Sequence, residues 1–411
     1  MLFTPLALGS CTVENRVWLP AMVTWLSNPA GEVTDEVEAR YVRYARGRPG
    51  MIVLEAMGIR DIASGPLLRI SHDRYLPGLS RLVAGMRAAG GPDVRVIPQI
   101  IDFLKIARRD PVRSLARLEG RYPGCSAWDE STLQATLTPR EWRDYAFGYR
   151  QQVEDLDLDE ILALPTSFAA AAVRARLAGF DGVELHFAHA YTMASFLSAT
   201  NARTDAYGGS LENRLRLPLE VIRAVRAAAG RDFCLGLRML GSDDVPGGTT
   251  VDEASQIAVA FARSGADFIS VSRGGRFEDA ARPPIGAAAY PYTGPSGLLC
   301  MPTRDAPPGA NLPLPRAIRA AVRQAGFTTP IVGAGRINTV DVAEAALLAG
   351  DLDLVGMARG LLADPDWTLK ARGALAEPIR HCKYTNACEA LDRAHKPVRC
   401  QLWWKSGHHA P

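Results

Sequence analysis

The chain has 411 residues, 47% hydrophobic and 22% charged, a globular balance with room for a large core. A net charge of +3, with no basic run interleaved with aromatics, excludes nucleic acid as an expected partner. No apolar run is long enough to span a membrane, MLFTPLALGSCTVENR has no basic stretch ahead of its apolar residues, and seven cysteines, an odd count, fit a reducing compartment, so a cytoplasmic location with no membrane partner is expected.

Eight apolar runs of strand length follow in chain order: 17–22 (VWLPAM), 51–58 (MIVLEAMG), 94–100 (VRVIPQI), 182–188 (GVELHFA), 233–239 (FCLGLRM), 268–273 (FISVSR), 330–335 (PIVGAG) and 352–359 (LDLVGMAR). Most are continuously apolar, as parallel strands covered on both faces should be. Helix signals fill the intervals. Thr138-Pro-Arg-Glu141 and Thr250-Val-Asp-Glu253 read as capping boxes; the first opens a helix near 139–154 and the second one running to Gly265. Helices are also expected over 214–229 and 340–349, each ending at a glycine. Strands alternating with helices predict an α/β fold, a (β/α)8 TIM barrel spanning 1–370, followed by a C-terminal extension, 371–411. Two segments exceed a minimal barrel, an excursion over 102–158 and a Gly- and Pro-rich loop over 274–315. Cys11, Cys125, Cys234 and Cys300 read as small buried hydrophobes.

In such a barrel, chemistry sits where strands end and loops begin. Those ends carry Gln99, then His186, His189 and Tyr191, then Arg238, then Gly333-Ala-Gly335-Arg336 and Gly356-Met-Ala-Arg359. Glycine with arginine after the last two strands is a phosphate signature: bare backbone approaches an anion and a guanidinium adds charge-assisted bonds. Neutral imidazoles can donate to a carbonyl oxygen and a phenol can supply a proton. A zinc site is disfavoured, because HxxH lacks the helical HExxH spacing and a third ligand. For Arg238 two readings stand: an ion pair with a core carboxylate, or stabilisation of negative charge on a reduced cofactor ring.

The run GFDGVELHFAHAYTMASFLSATNARTDAYGGSLENRLRLPLEVIRAVR resembles the old yellow enzyme family of FMN-dependent oxidoreductases through HxxH, a tyrosine and N-x-R-T-D-x-Y-G-G-S-x-E-N-R. The resemblance extends from LFTPLALGSCTVENR to GMARGLLADPDW. It implies FMN, with NAD(P)H as reductant. Ala21, Met22, Val23, Ala56 and Gln99 would lie along the flavin ring, Arg238 at its N1/O2 side, and Gly335, Arg336, Ala358 and Arg359 around its phosphate. His186 and His189 would bind the carbonyl oxygen of a small-molecule substrate and Tyr191 would protonate it. The implied reaction is reduction of an activated C=C bond in an enone or enoyl thioester. The reverse desaturation, an amine dehydrogenase activity and a non-catalytic flavoprotein are the alternatives. Homo-oligomerisation is left open. Ile101-Asp102-Phe103 departs from the His-x-Gly-Arg stretch common after that glutamine.

The extension resembles that of the 2,4-dienoyl-CoA reductase and trimethylamine dehydrogenase branch, where four cysteines hold a [4Fe–4S] cluster. Here Cys382, Cys388 and Cys400 stand at the family spacing, but Thr385 occupies the second ligand position. Clusters are typically held by four thiolates, so the threonine argues against an intact cluster while the three cysteines argue for one. With 11 residues after Cys400, the further nucleotide-binding domains of that branch are not expected.

Overall fold

The computed structural model describes residues 1–62 and 67–404, so 405–411 of the expected extension lie outside the described residues. A short antiparallel hairpin, β1 (Leu6–Leu8) and β2 (Cys11–Val13), precedes the barrel. Eight parallel strands then close on themselves: β3 (Val17–Leu19), β4 (Met51–Gly58), β5 (Arg95–Ile101), β6 (Gly182–Phe187), β7 (Cys234–Leu240), β8 (Phe268–Ser272), β9 (Ile331–Ala334) and β10 (Leu354–Gly356), with β10 pairing back to β3. Every residue of β4 and β6 is buried, which explains the unbroken apolar runs: one face fills the barrel and the other lies under helices.

Leu8, Cys11 and Val13 of the hairpin join Trp18, Met51, Val53, Ile97, Cys234, Phe268, Val332 and Leu354 in one apolar cluster. The hairpin thereby closes the N-terminal end of the barrel and leaves only the opposite mouth for a ligand. Cys11, Cys125 and Cys234 are buried as expected, whereas Cys300 is only partly so.

Three helix expectations need correction. The helix opened by Thr138 runs Pro139–Phe147 and has its full capping box, but Gly148, at φ +82°, ends it well before 154. Thr250 caps Val251–Arg263 by accepting from Glu253 N, yet the box is not reciprocal, because the Glu253 carboxylate pairs with the buried Arg214 instead. A buried guanidinium outcompetes one backbone N–H for a carboxylate. The helix before β7 starts earlier than expected, at Leu211, where Ser210 caps it.

Both long segments lie at the open mouth. The excursion carries helices Pro111–Leu118, Glu130–Thr136 and Pro139–Phe147 around a small core of Cys125, Leu133 and Leu137. It is stitched to the loop after β8 by Arg109 N to Ala287 O (2.7 Å) and Gly286 N to Arg109 O (2.8 Å). The C-terminal segment folds back to the same mouth. Val398 N donates to Thr24 O (2.9 Å), Trp403 Nε1 donates to Leu362 O (3.2 Å), and Val398, Cys400 and Trp403 share a cluster with Trp25, Ile101 and Phe103. Among the described residues, no helix is long and apolar enough to cross a membrane.

Candidate active site

The strand ends meet in a cavity of about 470 Å³ at the open mouth. Its wall contains Ala21, Met22, Val23, Ala56, Gln99, His186, His189, Tyr191, Arg238, Gly335, Arg336, Ala358 and Arg359, so every residue predicted for the cofactor and the substrate lies on one surface. This volume is within the range of small-molecule and cofactor sites, about 300–1,000 Å³.

Arg238, on β7, donates through Nη1 to Ser270 Oγ (3.0 Å) and through Nη2 to Ser272 Oγ (3.1 Å), both on β8. The ion-pair reading for it is not met: its hydrogen-bond partners are neutral hydroxyls. Glu184, two residues before His186, accepts from Gln99 Nε2 (2.6 Å) through one oxygen while the other has no partner. Burial raises its carboxyl to about 7 against the pull of Arg238 and Gln99.

The histidines stand in series. His189 Nδ1 is 3.2 Å from His186 Nε2, and His189 Nε2 is 3.0 Å from Ser272 Oγ. His186 Nδ1 is buried with no partner. Arginine only donates, so Ser272 accepts from Arg238 and has one proton to give. Giving it to His189 Nε2 makes a stronger bond than giving it to Cys300 Sγ at 4.0 Å. The network thus assigns the His189 proton to Nδ1, makes His186 Nε2 an acceptor, and leaves His186 Nδ1–H as a donor awaiting a partner. Burial, reinforced by Arg238, pushes His186 down to about 3; burial, His186 and Arg238 hold His189 well below its usual value. Both rings are therefore neutral at physiological pH.

Backbone geometry fixes this pair. His189 adopts φ +59°, a conformation that histidine takes more readily than most residues, and its carbonyl accepts from the buried Arg276 (3.2 Å). Gly275, at φ +74°, lets the backbone pass close to the His189 and Tyr292 rings, since a Cβ there would lie 2.7 Å from Tyr292 and 3.2 Å from His189. Tyr191 is wedged edge-on against Phe103 (5.0 Å between ring centroids) and His186 (5.7 Å). Burial, aided by Asp392, raises its phenol, so it holds its proton. The unusual Asp102 is structural. It pairs with Arg60 and accepts from Thr192 Oγ1 (2.5 Å), tying the end of β5 to the segment that carries Tyr191.

At the far end, Gly335 takes φ +125°, and a Cβ there would lie 2.7 Å from Asn311, so the backbone after β9 must be bare. Arg336 and Arg359 flank it, and Arg336 Nε is buried without a partner. Bare backbone, two arginines and an unsatisfied guanidinium N–H fit a phosphate; the apolar Ala21, Met22 and Ala56 beside Gln99 and Arg238 fit a ring with a polar edge. The residues present therefore fit FMN.

The three cysteines of the C-terminal segment border one apolar cluster: Cys400 is among its buried members, and Cys382 and Cys388 are partly buried against it. Burial raises all three thiols, Cys388 to about 11. Thr385 Oγ1 accepts from Gln401 Nε2 (2.7 Å) at the surface. Among the described residues, no group of three or more His, Cys, Asp or Glu is arranged to hold a metal ion.

Several cavity residues escaped the sequence reading. Cys300 lies on the wall with Sγ 3.6 Å from His189 Nε2, not in the core as expected, because the loop after β8 turns inward there. Trp25, Tyr290, Tyr292, Asp392 and His395 line the outer half. Trp25 Nε1 (2.5 Å) and the Tyr290 hydroxyl both donate to Asp392, and His395 stacks on Trp25. Nothing local in the sequence folds Asp392 back onto this wall.

A closed parallel barrel with a phosphate-type end, a ring-sized apolar wall and neutral proton donors at the strand mouths defines a flavin oxidoreductase. The chain matches the NADH:flavin oxidoreductase / NADH oxidase family over residues 1–291 and 315–377, and it belongs to that family. It is 34% identical to a metal reductase of Desulforamulus reducens, over 100% of this chain and 54% of the relative. Among solved structures it resembles histamine dehydrogenase from Rhizobium sp. 4-9 (25% identity, TM-score 0.72, 98% of this chain and 52% of that one). It also resembles morphinone reductase (25% identity, TM-score 0.61, 91% and 90%). The chain spans about half the length of the first curated relatives it matches. FMN and a nicotinamide reductant are the cofactors of this oxidoreductase family.

Proposed function

We propose that this chain reduces the activated C=C bond of an enone or enoyl thioester at the expense of NAD(P)H. The observation that carries this reading is the pair of neutral, buried histidines beside a protonated tyrosine in the cavity. Ala21, Met22, Val23, Ala56, Gln99, Arg238, Gly335, Arg336, Ala358 and Arg359 would hold FMN, which would supply the hydride chemistry when bound. The protein's own groups do the rest. His186 Nδ1–H receives the carbonyl oxygen, whose negative charge grows as the β-carbon is reduced. His189, oriented by Ser272, keeps the His186 proton on that nitrogen. Charge stabilisation by aligned donors in a water-poor cavity is worth far more than the same bonds in water. Tyr191 then delivers its proton to the α-carbon, leaving a saturated carbonyl compound. Likeness to morphinone reductase supports this branch.

Reduction of a cyclic enone in D2O should place solvent deuterium α to the carbonyl. Nicotinamide consumed by dioxygen alone, with the enone recovered intact, would oppose the proposal.

One observation favours a second reading, oxidation of a cationic amine. Asp392 sits on the wall among Trp25, Tyr290 and Tyr292, and a carboxylate with aromatic faces is suited to an ammonium group. Likeness to histamine dehydrogenase points the same way. Flavin reduction by an amine, without nicotinamide, would select it.

A further inference from the structure

The cysteine-bearing segment reaches the phosphate end of the cavity through one side chain. Tyr384, between Cys382 and Thr385, is buried, and its ring lies between two guanidinium groups: Arg336 Cζ is 4.5 Å from the ring centroid and Arg359 Cζ 4.8 Å. Its hydroxyl is buried without a hydrogen-bond partner, and so is the neighbouring Arg336 Nε. A tyrosine hydroxyl keeps its proton at neutral pH, so here it is a donor without an acceptor.

The surroundings are fixed. Arg336 Nη1 is held by the carbonyls of Thr303 (3.3 Å), Arg304 (2.6 Å) and Ala306, and Arg359 Nη1 by Pro302 O (2.9 Å) and Asn386 Oδ1. Asn386 Nδ2 in turn donates to Met301 O (2.7 Å), and Arg304 N to Tyr384 O (3.2 Å). All these partners are neutral oxygens. Two guanidinium charges and two idle donors, brought together in a cavity wall, lack an anion among the described residues.

We propose that Tyr384 completes the FMN phosphate pocket, its phenol O–H donating to the phosphate that Arg336 and Arg359 hold. The C-terminal segment then serves flavin retention, a role that needs no cluster at Cys382, Cys388 and Cys400. Asn386 acts as a positioning residue, since it grips both Arg359 and the loop after β8. The inference rests on the reading of Arg336 and Arg359 as phosphate ligands.

The test is flavin affinity. Holoprotein is stripped of flavin, and FMN and riboflavin are titrated separately while quenching of flavin fluorescence is followed. Riboflavin lacks the phosphate, so its binding reports whether the rest of the pocket is intact. Tyr384→Phe keeps the stacked ring. It should weaken FMN about ten- to a hundredfold, the range for a hydrogen bond to a charged group, and leave riboflavin unchanged. If Tyr384→Phe binds FMN as the unaltered protein does while Arg336→Gln and Arg359→Gln lose their preference for FMN over riboflavin, the inference is overturned and the phosphate reading stands. If the arginine variants keep that preference, the phosphate reading itself fails.

Discussion

Replacing Ser272 by alanine tests the histidine relay most sharply. In the native cavity one hydroxyl satisfies two groups: it accepts from Arg238 Nη2 at 3.1 Å and lies 3.0 Å from His189 Nε2. Ser272→Ala leaves a buried imidazole nitrogen short of its strong partner and removes one of two anchors of Arg238. Each such loss costs about 1–3 kcal/mol. Cys300 Sγ, 3.6 Å from the same nitrogen, offsets part of the first. Roughly 1.5–3 kcal/mol should then appear in the transition state, where His186 must hold its proton on Nδ1, and that is about a ten- to a hundredfold loss in kcat/KM for an enone. Ser272→Thr, which retains the hydroxyl, should recover most of it. The assay is steady-state enone reduction, with flavin reduction by NAD(P)H as an internal control that the substitution should spare. A Ser272→Ala enzyme within about twofold of the native value would refute the relay.

Other consequences can be checked separately. Tyr191→Phe should slow alkene reduction by about 10²–10⁴, the usual share of a general acid, without slowing flavin reduction by NAD(P)H in a stopped-flow trace. Stability should fall in acid. His186 titrates near 3 when folded and about 6.5 when unfolded, so the unfolded chain binds the extra proton and stability drops by about 1.4 kcal/mol per pH unit as pH falls through that window. Glu55 and Glu184, raised to about 7, act oppositely: their contribution is complete below about 4.5 and lost as pH rises through 7. Urea midpoints should therefore fall most steeply below about pH 4.5, where the histidines act together with carboxylates such as Glu278, which despite its burial is held down to about 2 by Arg276, and His186→Asn should make that limb shallower. Asp102→Ala, which strands Arg60 and frees Thr192, should lower the urea-derived stability by about 3–5 kcal/mol.

The barrel was legible because its strands are buried on both faces and so announce themselves as unbroken apolar runs; β4 matches its run residue for residue. Ends were less legible where an apolar run passes from strand to helix. The run over 352–359 contains only Leu354–Gly356 as strand, and Ala358 already begins a helix, because hydrophobicity alone does not separate two buried conformations. Strand-end residues could be placed on the cavity because topology sends all eight ends to one mouth. What the sequence could not convey was which donors are already spent. His186 and His189 read as equivalent, yet their spacing lets them bond to each other, and only the position of Ser272 on β8, two strands away across β7, shows which nitrogen is left over. Asp392 and Tyr384 were illegible for a related reason. Their neighbours in space, Trp25, Tyr290, Arg336 and Arg359, are remote in sequence or belong to loops without periodicity.

Anaerobic stopped-flow mixing of the NAD(P)H-reduced enzyme with enones and enoyl thioesters addresses the central claim directly. The flavin absorbance should return in a single substrate-dependent phase, and Tyr191→Phe should slow that phase. No return of absorbance with any enone or enoyl thioester would contradict the account.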